Sequence, residues 1–208
     1  KKIALVTGAT GGIGFQVAKR LGEDGYTVVL NGIEDDKGAE RVEELAALGI
    51  EAEYYGFDVT NDEAVTENVK AIGEKYGQID AVINNAGGLG GRSPMEEMTT
   101  EFYRSVMALN LDSAFFVSRA AIPYLKKTTG GSIVNYTSNA AWNAGGPGAG
   151  IYGVSKAAVN TLTHALAKEL AVNNPFRNSY HSGLLCSGNS NFCKFDTIFL
   201  RYCLLLFL

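Results

Sequence analysis

Short apolar runs alternate with amphipathic stretches along the first 174 residues. The run Ile3-Ala4-Leu5-Val6 enters a glycine cluster and reads as a buried strand. Residues 13–22 then carry Ile13, Val17, Ala18 and Leu21 on one helical stripe. Residues 26–30 are β-branched and apolar, a second strand. Over 36–48, Ala39, Val42, Leu45, Ala46 and Leu48 stand among charges, which predicts an amphipathic helix ended by Gly49. Residues 53–57 make a third strand. Asn61 can cap a helix over Asp62–Tyr76, with Gly77 after it. A fourth strand is expected at 81–83, a long helix over 101–126, a fifth strand at 132–136 and a long alanine-rich helix over 152–172. The strand runs are short and mostly non-alternating, so both faces of each strand are covered. That pattern predicts an α/β fold, a doubly wound parallel sheet with helices on each side. In such sheets ligands bind outside the carboxyl ends of the strands.

Composition narrows the reading. With 208 residues, 46% apolar and 19% charged, the chain can bury a real core and is not disordered throughout. A net charge of −4 argues against a nucleic acid or an anionic membrane as partner. The 25 glycines exceed the roughly 15 that average usage of ~7% would give, so some backbone must bend sharply or approach a ligand. The chain opens at Lys1 without methionine, so a few residues are expected to precede it; no apolar stretch follows of the kind that marks secretion. The three cysteines, Cys186, Cys193 and Cys203, lack CxxC spacing and suggest neither disulfides nor a zinc site. No metal is expected, and a cytoplasmic location is.

Four features at predicted strand ends carry chemistry. The loop Thr7-Gly8-Ala9-Thr10-Gly11-Gly12-Ile13-Gly14 joins the first strand to the first helix. Glycines there let the turn be tight and the backbone meet a pyrophosphate, whose oxygens the free N–H groups of the helix start can bind. Asp58-Val59 follows the third strand; Asp58 could accept from an adenine amino group or close a turn. Asn84-Asn85-Ala86-Gly87-Gly88 ends the fourth strand with small residues against which a ribose or nicotinamide could lie. Tyr152 and Lys156 are four residues apart, on one face of a helix. A phenol is a weak acid or base at its ordinary value near 10, and an ammonium beside it favours the phenolate. Ser138 follows the fifth strand and could hydrogen-bond a carbonyl held between it and Tyr152. Asn110 falls inside a predicted helix, where Asn is not favoured; it is an exposed polar position or holds a helix carbonyl or a water.

In this order, these motifs resemble the short-chain dehydrogenase/reductase family, non-extended branch, over about residues 2–172. The resemblance implies a Rossmann-like fold and hydride transfer between NAD or NADP and a carbonyl or secondary alcohol. It implies that Tyr152 is the general acid, that Ser138 orients the carbonyl, and that Lys156 favours the phenolate and binds the nicotinamide ribose. Asn110 supports a water relay. Gly8, Thr10, Gly11, Gly12, Ile13 and Gly14 line the pyrophosphate, Asp58 and Val59 the adenine, and Asn85 and Gly87 the adenosine ribose side. A homo-oligomer, dimer or tetramer, is expected on the same ground. The usual marks of cofactor choice are absent: Gly32 stands where an NAD-preferring member carries an acid, and Gly11 and Ile33 where an NADP-preferring member often carries a base. Glu34, Asp35 and Asp36 would repel a 2′-phosphate if they faced it.

The substrate is expected to be an oxo acid, a keto sugar or a 3-oxoacyl compound, walled by residues 88–95 and 139–150. Trp142 covers it or packs on the domain; Arg92 meets a substrate carboxylate or is a solvated charge. Two other readings stand beside this one, a nucleotide-sugar epimerase or dehydratase and a catalytically inactive dinucleotide-binding protein.

Composition breaks near residue 174. Residues 175–208 hold one of the 22 acidic side chains, Asp196, with all three Cys and five of the ten Phe. The Pro-Gly expected after the last helix is absent. A shift of one nucleotide lets the codons for 177–183 read Val-Thr-Leu-Ile-Thr-Pro-Gly. The chain is therefore expected to divide into a catalytic domain, 1–174, and an atypical tail, 175–208, read in a shifted frame, with the C-terminal strands missing or altered.

Overall fold

The computed structural model describes residues 1–171 and the backbone strand at 177–181. In chain order, β1 is Ile3–Val6, α1 Gly12–Glu23, β2 Thr27–Gly32, α2 Asp35–Ala47, β3 Ala52–Gly56, α3 Asp62–Tyr76 and β4 Ala81–Asn84. Then come α4 Thr100–Met107, α5 Ser113–Leu125, β5 Ser132–Tyr136, α6 Ala140–Asn143, α7 Gly150–Ala171 and β6 Arg177–His181. The sheet runs β3-β2-β1-β4-β5-β6, and every pairing is parallel. Strand order reverses between β1 and β4, the crevice where such sheets bind ligands.

Local signals set the element boundaries. Asn61 caps α3 by accepting from the Ala64 N–H at 3.1 Å, and Gly77 ends the helix in a left-handed conformation. α2 ends before Gly49, whose N–H donates to the Ala46 carbonyl. β1, β2 and β4 are buried throughout. Their side chains feed two cores, one on each sheet face. One gathers Leu5, Val29, Val82 and Ile133 with α3, α5 and α7; the other gathers Val6, Leu30 and Ile83 with α1.

Two expectations need adjusting. The long helix over 101–126 is divided: Ala108–Asp112 is a π segment between α4 and α5. The sixth strand is altered rather than missing, since Arg177–His181 pairs along β5 from Ser132 to Tyr136. The seventh strand and residues 182–208 lie outside the described residues. No helix among the described residues is long and apolar enough to cross a membrane.

Candidate active site

The carboxyl ends of β1, β4 and β5 open onto a cavity of about 420 Å3. Its wall holds Gly12 and Ile13 from the glycine loop, and Asn85, Gly87, Gly88 and Leu89 beyond β4. Tyr136, Thr137, Tyr152 and Lys156 complete it. Gly12, Ile13, Asn85, Gly87, Gly88, Tyr152 and Lys156, seven residues singled out from sequence, therefore meet in one space.

The glycine loop is held from below. The Thr7 hydroxyl oxygen accepts from the N–H groups of Asn85 and Ala86 at 3.1 and 3.0 Å. The Asn85 amide donates back to the carbonyls of Thr7 and Gly8 at 2.9 and 3.0 Å. A Cβ at Gly14 would overlap the Gly8 carbonyl, so only glycine lets α1 start this close to the loop. Gly12 takes φ +54°, and a Cβ at Gly11 or Gly12 would meet nothing within 4 Å. The start of α1 has no side-chain cap and no acid in its first turn, unlike α3. Gly12 and Ile13 at that helix start line the cavity, a place suited to an anion. This uncapped cradle fits the pyrophosphate of a dinucleotide.

Lys156 lies one helical turn past Tyr152 and is 4% exposed. Its Nζ donates to the Tyr136 carbonyl at 2.9 Å and stands 5.9 Å from the centre of the Tyr152 ring. Burial pulls its pKa down to about 8. A Cβ at Gly87 would come 2.9 Å from Lys156 Nζ and 2.9 Å from Asn110 Oδ1, so the β4 loop touches both groups only as glycine.

Asn110 is 1% exposed in the π segment. Its Oδ1 accepts from the Gly88 N–H at 3.0 Å, and its Nδ2 donates to the Gly88 carbonyl at 2.8 Å and the Val106 carbonyl at 2.9 Å. The side chain takes a backbone acceptor from its own helix and clamps the β4 loop with the rest. Ser138 follows the lining residue Thr137; its Oγ accepts from the Ala140 N–H at 3.2 Å.

The remaining predicted residues do not line the cavity. Gly8 donates to Asn31 Oδ1 at 3.4 Å, and the Thr10 carbonyl accepts from Arg41 Nε at 3.1 Å. Val59 is buried in the core. Asp58 is exposed, and its Oδ1 accepts from the Thr60 N–H and hydroxyl, both at 2.8 Å, a turn that leaves its outer edge to solvent. Arg92 is not a loose charge: it donates to the Pro147 carbonyl at 2.7 Å and, with the Ser93 N–H on the Gly148 carbonyl, ties the two substrate-side loops together. Trp142 sits on α6, 70% exposed, so it does not pack on the domain.

Sequence reasoning missed Asn31 and Arg41. Asn31, next to last in β2, accepts from Gly8 and donates to the Phe57 carbonyl at 2.9 Å, joining the three strand ends on which the loop rests. An Asn before a glycine reads as a turn, so only a buried neighbour could have marked it.

The family model for short chain dehydrogenase matches residues 2–179. The 3beta-hydroxysteroid dehydrogenase of Mediterraneibacter gnavus (strain ATCC 29149) is 41% identical over 171 residues, 82% of this chain and 61% of that protein. The crystal structure of the NADH-dependent reductase A1-R' complexed with NAD superposes with a TM-score of 0.81 at 34% identity, over 86% of this chain and 76% of that one. A metagenomic short-chain oxidoreductase in complex with NADP gives 0.80 at 30% identity, over 86% and 80%. The chain belongs to the short-chain dehydrogenase family, and its parallel sheet is the Rossmann-like fold of that family. It spans about three fifths of the length of the hydroxysteroid relative.

Proposed function

We propose that the protein is an NAD(P)-dependent oxidoreductase that interconverts a carbonyl and a secondary alcohol. One observation carries the reading: a buried ammonium, Lys156, stands beside the Tyr152 phenol in a cavity whose floor is an uncapped glycine-rich helix start. A bound nicotinamide supplies the hydride in the reducing direction and accepts it in the other. Tyr152 gives its phenolic proton to the carbonyl oxygen as the alcohol forms. Lys156, held by the Tyr136 carbonyl, places positive charge beside that phenol and next to Gly87, where a ribose can lie. Ser138 orients the carbonyl. Asn110 holds Gly88 against the cavity, and the second lone pair of its Oδ1 is left for a water that returns the proton. The uncapped N–H groups of α1 bind the pyrophosphate, and Asp58 and Val59 flank the adenine.

Among substrates, an uncharged ketone of the keto-sugar or 3-oxoacyl kind is favoured over an oxo acid. Arg92, the cation within the 88–95 loop, is bound to Pro147, and the first relative is named for a hydroxysteroid. The catalytic unit is residues 1–174, acting in the cytoplasm as a dimer or tetramer. The stretch from 175 is a tail read in a shifted frame, and sequencing the gene across codons 170–185 checks it: an intact frame, with this tail found by mass spectrometry, rejects it.

Tyr152→Phe tests the central claim. Cofactor oxidation with a carbonyl panel is expected to fall by at least about 100-fold. NADH and NADPH binding, followed by fluorescence, should stay near the wild-type value. Unchanged turnover would remove Tyr152 as the acid. Cofactor binding with no turnover on any carbonyl would favour an inactive dinucleotide-binding protein.

A further inference from the structure

The glycine loop carries a cation that neither of the usual sequence positions supplies. Arg41 reaches across from α2, and its Nε donates to the Thr10 carbonyl at 3.1 Å. The guanidinium lies 4.8 Å from the centre of the Phe15 ring and pairs with Glu44. Thr10 in turn packs on the end of β2: a Cβ at Gly32 would overlap the Thr10 methyl. An acid at position 32, which would accept from a ribose diol, therefore has no room unless Thr10 moves. The same contacts set a permanent positive charge against the Thr10 backbone, between the glycine loop and the residue that packs on Gly32.

The acids that would oppose an anion there are turned aside or neutralised. Glu34 pairs with Lys37 at 2.7 Å. The Asp35 carboxylate lies over Gly56 on β3, where its charge helps raise the Tyr54 pKa. Asp36 is exposed on the first turn of α2. Among the described residues Glu44 is the one acid paired with Arg41, and a phosphate dianion is a stronger partner than a half-exposed carboxylate.

We propose that Arg41 is a specificity-determining residue that receives the adenosine 2′-phosphate, so that the protein takes NADP(H) in preference to NAD(H). The proposal rests on the dinucleotide-binding reading above. Phe15 holds the guanidinium plane in place by stacking, and Thr10 fixes its Nε, leaving its remaining N–H groups to form a fork toward a phosphate.

Calorimetry on the full chain with adenosine 2′,5′-bisphosphate and adenosine 5′-monophosphate separates the outcomes without turnover. The bisphosphate is expected to bind at least about tenfold more tightly, with the difference shrinking as salt rises. Arg41→Gln should remove that difference and leave the monophosphate affinity unchanged. Glu44→Gln, which frees the guanidinium without touching the loop, should tighten the bisphosphate alone. Monophosphate binding with no bisphosphate preference in the wild-type chain overturns the role of Arg41 and spares the dinucleotide site. So does an equal loss of both ligands in Arg41→Gln, which would make Arg41 a support for the loop. Failure of both nucleotides and of NADH and NADPH to bind overturns the dinucleotide reading, and this proposal with it.

Discussion

Lys156 shows how one side chain ties stability to chemistry. Its spacing from Tyr152 was legible in the sequence, because i and i+4 share a helix face whatever the fold. Its burial and its bond to the Tyr136 carbonyl were not, because they depend on β5, which ends 20 residues upstream. Burial sets its folded-state pKa at about 8, against 10.5 for an ordinary lysine. Between those values the unfolded chain holds a proton that the folded chain lacks, so stability rises with pH across that window. Below pH 8 both states are protonated and the full desolvation penalty applies. From pH 7 to 9 the gain should be about 1 kcal/mol. The tyrosines with raised values, Tyr26, Tyr54 and Tyr76, act above pH 10 and in the opposite sense. Urea titrations at pH 7 and pH 9 measure this, with Lys156→Met as the control expected to lose the slope. An equal slope in both proteins would mean that another group sets it.

At the scale of elements, the α4–α5 stretch shows where periodicity stops being informative. Its apolar spacing predicts one helix from 101 to 126, and a helix is there, interrupted by a π segment at 108–112. The interruption comes from a polar residue in a long-range contact: Asn110 donates to Val106 four residues back and holds both backbone groups of Gly88. In a sequence this Asn is only an unfavoured helix residue. Helix caps and stops are legible because they are local, as at Asn61, Gly49 and Gly77; a clamp between a helix and a strand-end loop is not. Asn110→Ala leaves the Gly88 N–H and carbonyl, which are half-buried at the cavity wall, without their side-chain partner, and should cost about 1 kcal/mol or more. The same substitution by Ala at the exposed, helical Glu40 should change stability by less than about 0.5 kcal/mol. Comparing their urea midpoints checks the difference, and a neutral Asn110→Ala would show that the clamp holds nothing.

For the whole molecule, the site depends on the sheet being buried on both faces. The short non-alternating runs made this legible, since a strand covered on one side only would alternate. Which polar residues join the strands was not legible, because Asn84, Asn135 and Thr163 lie far apart in sequence. Asn84 donates to Asn135 Oδ1 at 2.7 Å, and Asn135 donates to the Thr163 hydroxyl at 2.8 Å, linking β4, β5 and α7 inside the core. β1 contributes to both cores: Ile3 and Leu5 face one, Ala4 and Val6 the other. A cavity in β1 should therefore weaken the two faces together rather than loosen one. Leu5→Ala is expected to cost about 3 kcal/mol, with far-UV and near-UV circular dichroism following one coincident transition. Because β1 runs directly into Thr7 and Gly8, the loop that Asn85 holds should melt in the same step. Two separated transitions in Leu5→Ala would mean that the faces unfold independently, and that the glycine loop and the Tyr152–Lys156 helix belong to different cooperative units.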